Sequence, residues 1–270
     1  MNERELIEHT TRLGTVESIS RDLRNLGVAA GDVLIVHASL SSLGWVAGGA
    51  AAVVDALLAT VTPTGTVSMP AHSGDWSDPS GWVNPPVPSS WWGEIVDGRP
   101  AFDPYATPLR EMGAVAENLL LRRETLRSSH PLHSHMANGL HAKHVVDVHP
   151  LEDSFGDFSP LGRLYGLGAK VLLLGVGYGQ NTSLHLAESR AQWPGKKQVE
   201  HKSKILSSDE AKSVTWMGDD WDADDFEILG QHLEQTYEVR IAKVGQADAR
   251  FADMRTLVDA ATAWFTSNRG

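Results

Sequence analysis

In NTSLHLAE, residues 181–188, His185 and Glu188 stand three positions apart where the pattern starts a helix. That spacing places both side chains on one helix face. A carboxylate beside an imidazole fixes its tautomer and strengthens it as a general base near neutral pH. The same spacing allows a buried histidine with a purely structural hydrogen bond. The preceding LGVGYGQ is a glycine turn leading from a strand into a helix N-terminus, a geometry that favours anions. It is neither the P-loop pattern nor a GxGxxG unit followed by an acid, and it lacks the P-loop lysine. A nucleoside triphosphate site is therefore not expected, and the glycines serve a tight strand-to-helix turn.

Two further clusters carry polar chemistry. His37 closes an apolar run and precedes Ser39, Leu40, Ser41, Ser42, Leu43 and Gly44, a turn able to offer backbone N–H groups to an anion or simply to cap a helix. RSSHPLHSH (127–135) gathers one arginine, three serines and three histidines. It suggests contact with phosphate or metal. Against metal stand the absence of HExxH and of cysteine; the pair His141 and His144 has no acid beside it. No metal is expected.

The elements that must position these residues follow from periodicity. Residues 3–27 read as one helix, GDVLIVHASL as a buried strand, 48–61 as a helix and 66–71 as a second strand. This β-α-β order predicts an α/β protein, three-layer α/β/α, with a mixed, largely parallel central sheet. Residues 112–123 and 136–149 read as helices, 159–168 as a helix capped by Ser159, and 169–177 as the strongest strand. A helix follows from Asn181 or Thr182, and the chain closes on strand-like TYEVRIAKVG and a helix over RTLVDAATAWFTSN. Residues 72–109 break the pattern: six of 13 prolines fall between 79 and 104, beside Trp76, Trp82, Trp91 and Trp92. Disordered segments are poor in aromatics, so this is expected to be an ordered lid or pocket wall. No repeat or flexible linker divides residues 1–270, which predicts one domain.

Composition narrows the partners. With 41% hydrophobic residues the chain can bury a core. No apolar run is long enough to span a bilayer. The N-terminus lacks an apolar signal region and there are no cysteines, which fits a cytoplasmic protein. The net charge of −11 argues against nucleic acid and is compatible with a cationic small molecule.

Taken in order, HASLSSLG (37–44), MPAHSGDWSDPSGWVNPPVP (69–88), FDPYATPLREMG (102–113), RSSHPLHS (127–134), SPLGRLY (159–165), LLLGVGYGQNTSLHLAE (172–188) and VGQADARFADMRTLVDAATAW (244–264) closely resemble the aminoglycoside 3-N-acetyltransferase family. The resemblance implies transfer of an acetyl group from acetyl-CoA to the 3-amino group of a 2-deoxystreptamine ring. It implies His185 as general base with Glu188 closing its motif, and His37 with the turn from Ser39 to Gly44 as the cradle of the CoA pyrophosphate. Thr107, Ser128, Ser129, His130 and Ser134 fall in blocks lining the CoA side of the cleft. Relatives often carry an aromatic at the His133 or His135 position, where this chain departs. A polycationic substrate would be met by acids near the lid, Asp75, Asp78 and Asp153, with the run Asp219–Asp225 a weaker candidate. A homodimer is compatible with the resemblance. The alternatives are acylation of another small amine, a His-based hydrolase, or a non-catalytic CoA- or sugar-binding protein; fold alone does not choose among them.

Overall fold

The computed structural model describes residues 3–208 and 210–270. Three parallel strands form its centre: β1 (Val33–Ala38) lies between β2 (Thr66–Pro70) and β5 (Lys170–Leu174). Antiparallel neighbours extend both sides. β4 (His135–Gly139) pairs with β2 and with β3 (Leu126–Arg127), while β9 (Ala247–Asp253) pairs with β5 and with β8 (Val239–Val244). The sheet is mixed as expected, with its parallel part confined to the central three strands.

Side chains alternate along each strand, so one sheet buries two cores. Leu34, Val36, Leu172 and Leu174 enter the core on one face, under α2 (Val16–Leu26), α3 (Gly49–Val61) and α5 (Gly113–Leu120). Val33, Ile35, Val171 and Leu173 enter the other core. It is covered by α6 (Ala142–Val146), α7 (Pro160–Gly166), α8 (Ser183–Arg190), α9 (Phe226–Thr236) and α10 (Met254–Asn268). Among the described residues, no helix is long and apolar enough to cross a membrane.

Three expectations change. The N-terminal helix is two, α1 (Glu3–Glu8) and α2, because residues 10–14 leave the helical path to bind the 45–47 segment. The Thr10 hydroxyl accepts from Trp45 N, and Gly14 N donates to Trp45 O. Thr15 and Ser18 then restart the chain as a reciprocal capping box. Residues 136–149 begin as a strand, since Met136 and Ala137 face opposite cores. At Gly139, φ is 121° and an added Cβ would lie 2.3 Å from Gly65 O, so only glycine lets β4 approach β2. Finally, a hairpin of β6 (Gln198–Ser207) and β7 (Glu210–Asp219) projects from the sheet, where no element had been expected.

Residues 72–109 fold as short 3-10 turns and α4 (Trp92–Gly98), leaning on that hairpin. Phe102 N donates to Lys204 O at 2.7 Å and the Ser203 hydroxyl to Trp76 O at 2.9 Å. Both ends of the segment are tied by buried Arg127. Its guanidinium donates to Ala71 O and the Ser73 hydroxyl at one end, to Thr107 O at the other, and to the Ser134 hydroxyl. Burial pulls the Arg127 pKa down to about 10, against the pull of Asp103. Replacing Arg127 by methionine strands several buried acceptors, so urea unfolding should show a stability loss of about 3 kcal/mol or more. A loss of a few tenths of a kcal/mol would mean the segment is held by its tryptophans instead.

Candidate active site

The carboxyl ends of the neighbouring parallel strands β1 and β5 lie together, and their connections run to opposite faces of the sheet, β1 to α3 and β5 to α8. Open α/β sheets place their ligand crevice at such a reversal. Here the crevice is a cleft of about 190 Å³, lined by His37 and Ala38 of β1, Met69 and Pro70 of β2, and by Val176, Asn181, Thr182 and His185 beyond β5. His72, Glu111 and Phe226 complete much of its wall.

His185 lies in the first turn of α8 and is held on both sides. Its ring stacks on Phe155 with centroids 4.7 Å apart and planes 15° from parallel, and it touches Trp221 and Phe226. Its Nδ1 lies 2.7 Å from Glu188 Oε2. A carboxylate can only accept from a neutral imidazole, so the proton of the neutral ring sits on Nδ1 and the Nε2 lone pair is left free. No hydrogen bond to Nε2 exists among the described residues. Glu188 is 1% exposed, and its other oxygen accepts from Arg269 Nη1 at 2.7 Å and from Asp222 N at 2.9 Å. A carboxylate so buried is sustained only by such a set of donors.

His37 is held differently. Its Nε2 accepts from Thr182 N at 3.1 Å and lies 2.9 Å from the Thr182 hydroxyl. The ring proton therefore sits on Nδ1, which is buried and without a partner among the described residues. Burial, and then the neighbouring His135 and His185, lower its pKa to about 3, so it is neutral in the physiological range. The Asn181 carboxamide oxygen accepts from Ser183 N and the Ser183 hydroxyl, which fixes the entry to α8.

The other expected residues divide. Ser39, Leu40 and Ser41 line a trough of about 440 Å³ that continues the cleft through Ala38, Glu111 and Met112. Ser42 donates to Gly175 O, Gly44 packs against Gln246, and Leu43 is fully buried in the core. Thr107, Ser128, His130 and Ser134 do not line the cleft and are engaged inside the protein. The Thr107 hydroxyl accepts from Asp103 N, Ser128 bonds His149, His130 bonds Leu151 O and Ser154, and Ser134 bonds Ala71 O. Ser129 lies with His149 along a separate surface hollow. Asp75 pairs with Arg110, Asp78 caps Ser80 N and Asp153 accepts from Phe158 N; none of the three lines the cleft.

RSSHPLHSH thus contributes less to a ligand surface than to a buried cluster of neutral rings. His130 stacks with His133 at 5.3 Å and touches His149 at 4.7 Å, and His72 meets His133 and His135 edge-on. Among the described residues no group of three or more His, Asp or Glu is arranged to hold a metal ion. Phe155 beneath the His185 ring and Arg269 had no sequence signal, and Asp222 and Asp225, expected only as weaker substrate-facing acids, instead brace Glu188 and Arg269.

Comparison with known proteins bears on the family and the fold. The family model described as Aminoglycoside 3-N-acetyltransferase matches residues 35–266. The crystal structure of YokD from Bacillus subtilis superposes with a TM-score of 0.95 at 38% identity, covering 98% of each chain. Aminoglycoside N(3)-acetyltransferase VIII of Streptomyces fradiae is 39% identical over 206 residues, 76% of this chain and 71% of the relative. The binary complex of AAC-IIIb with CoASH superposes with a TM-score of 0.85 at 29% identity, over 96% of this chain and 98% of that one. With a match spanning most of the sequence and its site-bearing strands, the chain belongs to the aminoglycoside 3-N-acetyltransferase family.

Proposed function

We propose that the protein moves the acetyl group of acetyl-CoA directly to the 3-amino group of a 2-deoxystreptamine aminoglycoside, with His185 as general base. The observation that carries this reading is the 2.7 Å contact of His185 Nδ1 with Glu188 in a cleft at the strand ends, with Nε2 left open. An ammonium has no lone pair and cannot attack a thioester; one proton must leave before or during attack. His185 Nε2 takes that proton as the amine nitrogen bonds to the thioester carbon. The resulting imidazolium lies against Glu188, which offsets its charge. When the C–S bond breaks, the same proton passes from Nε2 to the departing sulfur and the nitrogen releases its second excess proton to solvent, giving a neutral amide and free CoA thiol with the base restored.

Both substrates have support. A structural relative holds CoASH, and the trough past Ser39 and Ser41 gives a pantetheine arm a path out of the cleft. For the amine, the net charge of −11 favours a polycation. The acidic residue in the cleft lining is Glu111, at a positive φ of 59° with its carboxylate 3.4 Å from Arg110 Nε, rather than Asp75, Asp78 or Asp153. The test is to supply acetyl-CoA with a panel of aminoglycosides and other small amines and follow thiol release with the mass of the product. One thiol per acetylated amine, without added metal, supports transfer. Thiol release that ignores the amine would replace this reading with a hydrolase.

A further inference from the structure

We infer that Arg269 is a positioning residue of the acid–base pair: locked onto Asp225, it holds Glu188 in the orientation that presents Oε2 to His185. The residue lies beyond the stretch that matches the family, which ends at 266. Its role is visible only in three dimensions. Arg269 caps α10, donating its backbone N–H to Phe265 O, and its side chain is 10% exposed. Nε and Nη2 donate to the two oxygens of Asp225 at 2.7 and 2.6 Å, and Nη2 also donates to Asp222 O at 2.7 Å. The guanidinium plane is further fixed over the Phe265 ring, 4.1 Å from its centroid. Burial alone would lower the Arg269 pKa, but the hydrogen bonds to Asp225 and Glu188 hold it above the ordinary arginine value. It is a permanent cation with one orientation.

The remaining donor, Nη1, meets Glu188 Oε1 at 2.7 Å. Glu188 therefore has one oxygen committed to Arg269 and Asp222 N, and the other committed to His185. Without the guanidinium, a buried carboxylate would lose its compensating charge and could rotate its oxygens between partners. The planar fork suits this task better than an ammonium, because it serves Asp225 and Glu188 at once. The pair on α8 is thus set by α10 and the 220–225 loop.

The inference rests on the proposed role of His185 only for its effect on rate, and the experiment separates the two. The readout is the proton resonance of the His185 Nδ1–H, which a hydrogen bond to a buried carboxylate deshields and protects from exchange; its absence in His185→Gln assigns it. In Arg269→Met the resonance should move upfield or broaden away. There kcat should fall about 10- to 100-fold, the scale of misplacing a catalytic group, with KM for acetyl-CoA unchanged. Arg269→Lys should recover part of both, and Asp225→Asn should reproduce the loss more weakly; these two decide the matter if Arg269→Met does not fold. An unmoved resonance with wild-type kcat would overturn the inference. If the resonance responds while His185→Gln keeps full turnover, the positioning stands and the general-base reading falls.

Discussion

Replacing His185 by glutamine is expected to lower kcat by about 10²- to 10⁴-fold, the usual contribution of a general base, while acetyl-CoA affinity measured by calorimetry stays near wild type. Glutamine keeps the side chain polar and of comparable reach, so the stacking surface of Phe155 is disturbed little. It has no basic lone pair with which to take a proton from the amine. Glu188→Gln should cost less, because the imidazole keeps its lone pair and loses only the group that fixes its tautomer and faces the imidazolium. The order of the two losses is diagnostic. If Glu188→Gln were the more damaging, the carboxylate would be doing the proton chemistry; if His185→Gln kept near-normal kcat, the 2.7 Å contact would be a structural bond. In that second outcome the acetyl transfer would have to rely on an amine already neutral in solution.

The pair was legible because its two members are close in sequence and a helix repeats on that scale. The cleft was legible for a related reason: the apolar runs ending at His37, Pro70 and Leu174 are short, β-branched or leucine-rich and bounded by turns, and parallel strands bring such ends to one edge. Arg269 was not legible, since its partners lie 81 and 44 positions away and only tertiary packing joins them. The same holds for Phe155, which a sequence reading leaves in a loop yet which stacks on His185. The 136–149 segment misled because small residues and histidines satisfy either period. What decides it is Gly139, whose close approach to Gly65 is a property of the sheet and not of the local pattern. RSSHPLHSH suggested ligand contact because histidine and serine are the residues that make it. Burial instead directs those hydroxyls and rings at one another and at the backbone, as Ser128 on His149 and Ser134 on Ala71 show.

That buried cluster leads to a large effect that does not involve catalysis: steep acid unfolding beginning near pH 6. His37, His130, His135 and His149 are all less than 9% exposed. Desolvation is the main cause that lowers each: His37 and His130 to about 3, His135 to about 4, and His149 well below its ordinary value of 6.5, with neighbouring histidines adding to it. In the unfolded chain these rings take protons near pH 6.5, whereas in the folded protein they stay neutral to far lower pH. The unfolded state therefore binds more protons throughout the window below 6.5, and stability falls as pH falls. Each ring contributes about 1.4 kcal/mol per pH unit within that window, so four together remove about 5 kcal/mol per unit. Against a total stability of about 5–15 kcal/mol for an ordinary folded protein, one to three pH units suffice. Carboxylates such as Asp78 and Asp253, whose pKa values are lowered below 3.8, take up protons on unfolding only at still lower pH. The range from pH 6.5 to about 4.5 thus isolates the histidines, with Asp153, raised by burial, acting weakly in the opposite sense. Urea midpoints measured across this range should drop with a proton uptake of about four to six per molecule, because burial also holds His72 and His133 of the same cluster well below 6.5. His149→Gln, whose amide can still donate to Ser154 O and accept from Ser128, should reduce that uptake by about one. A midpoint flat between pH 7 and 5 would mean that these rings reach solvent in the folded protein and that the cluster is not the neutral core its hydrogen bonds describe.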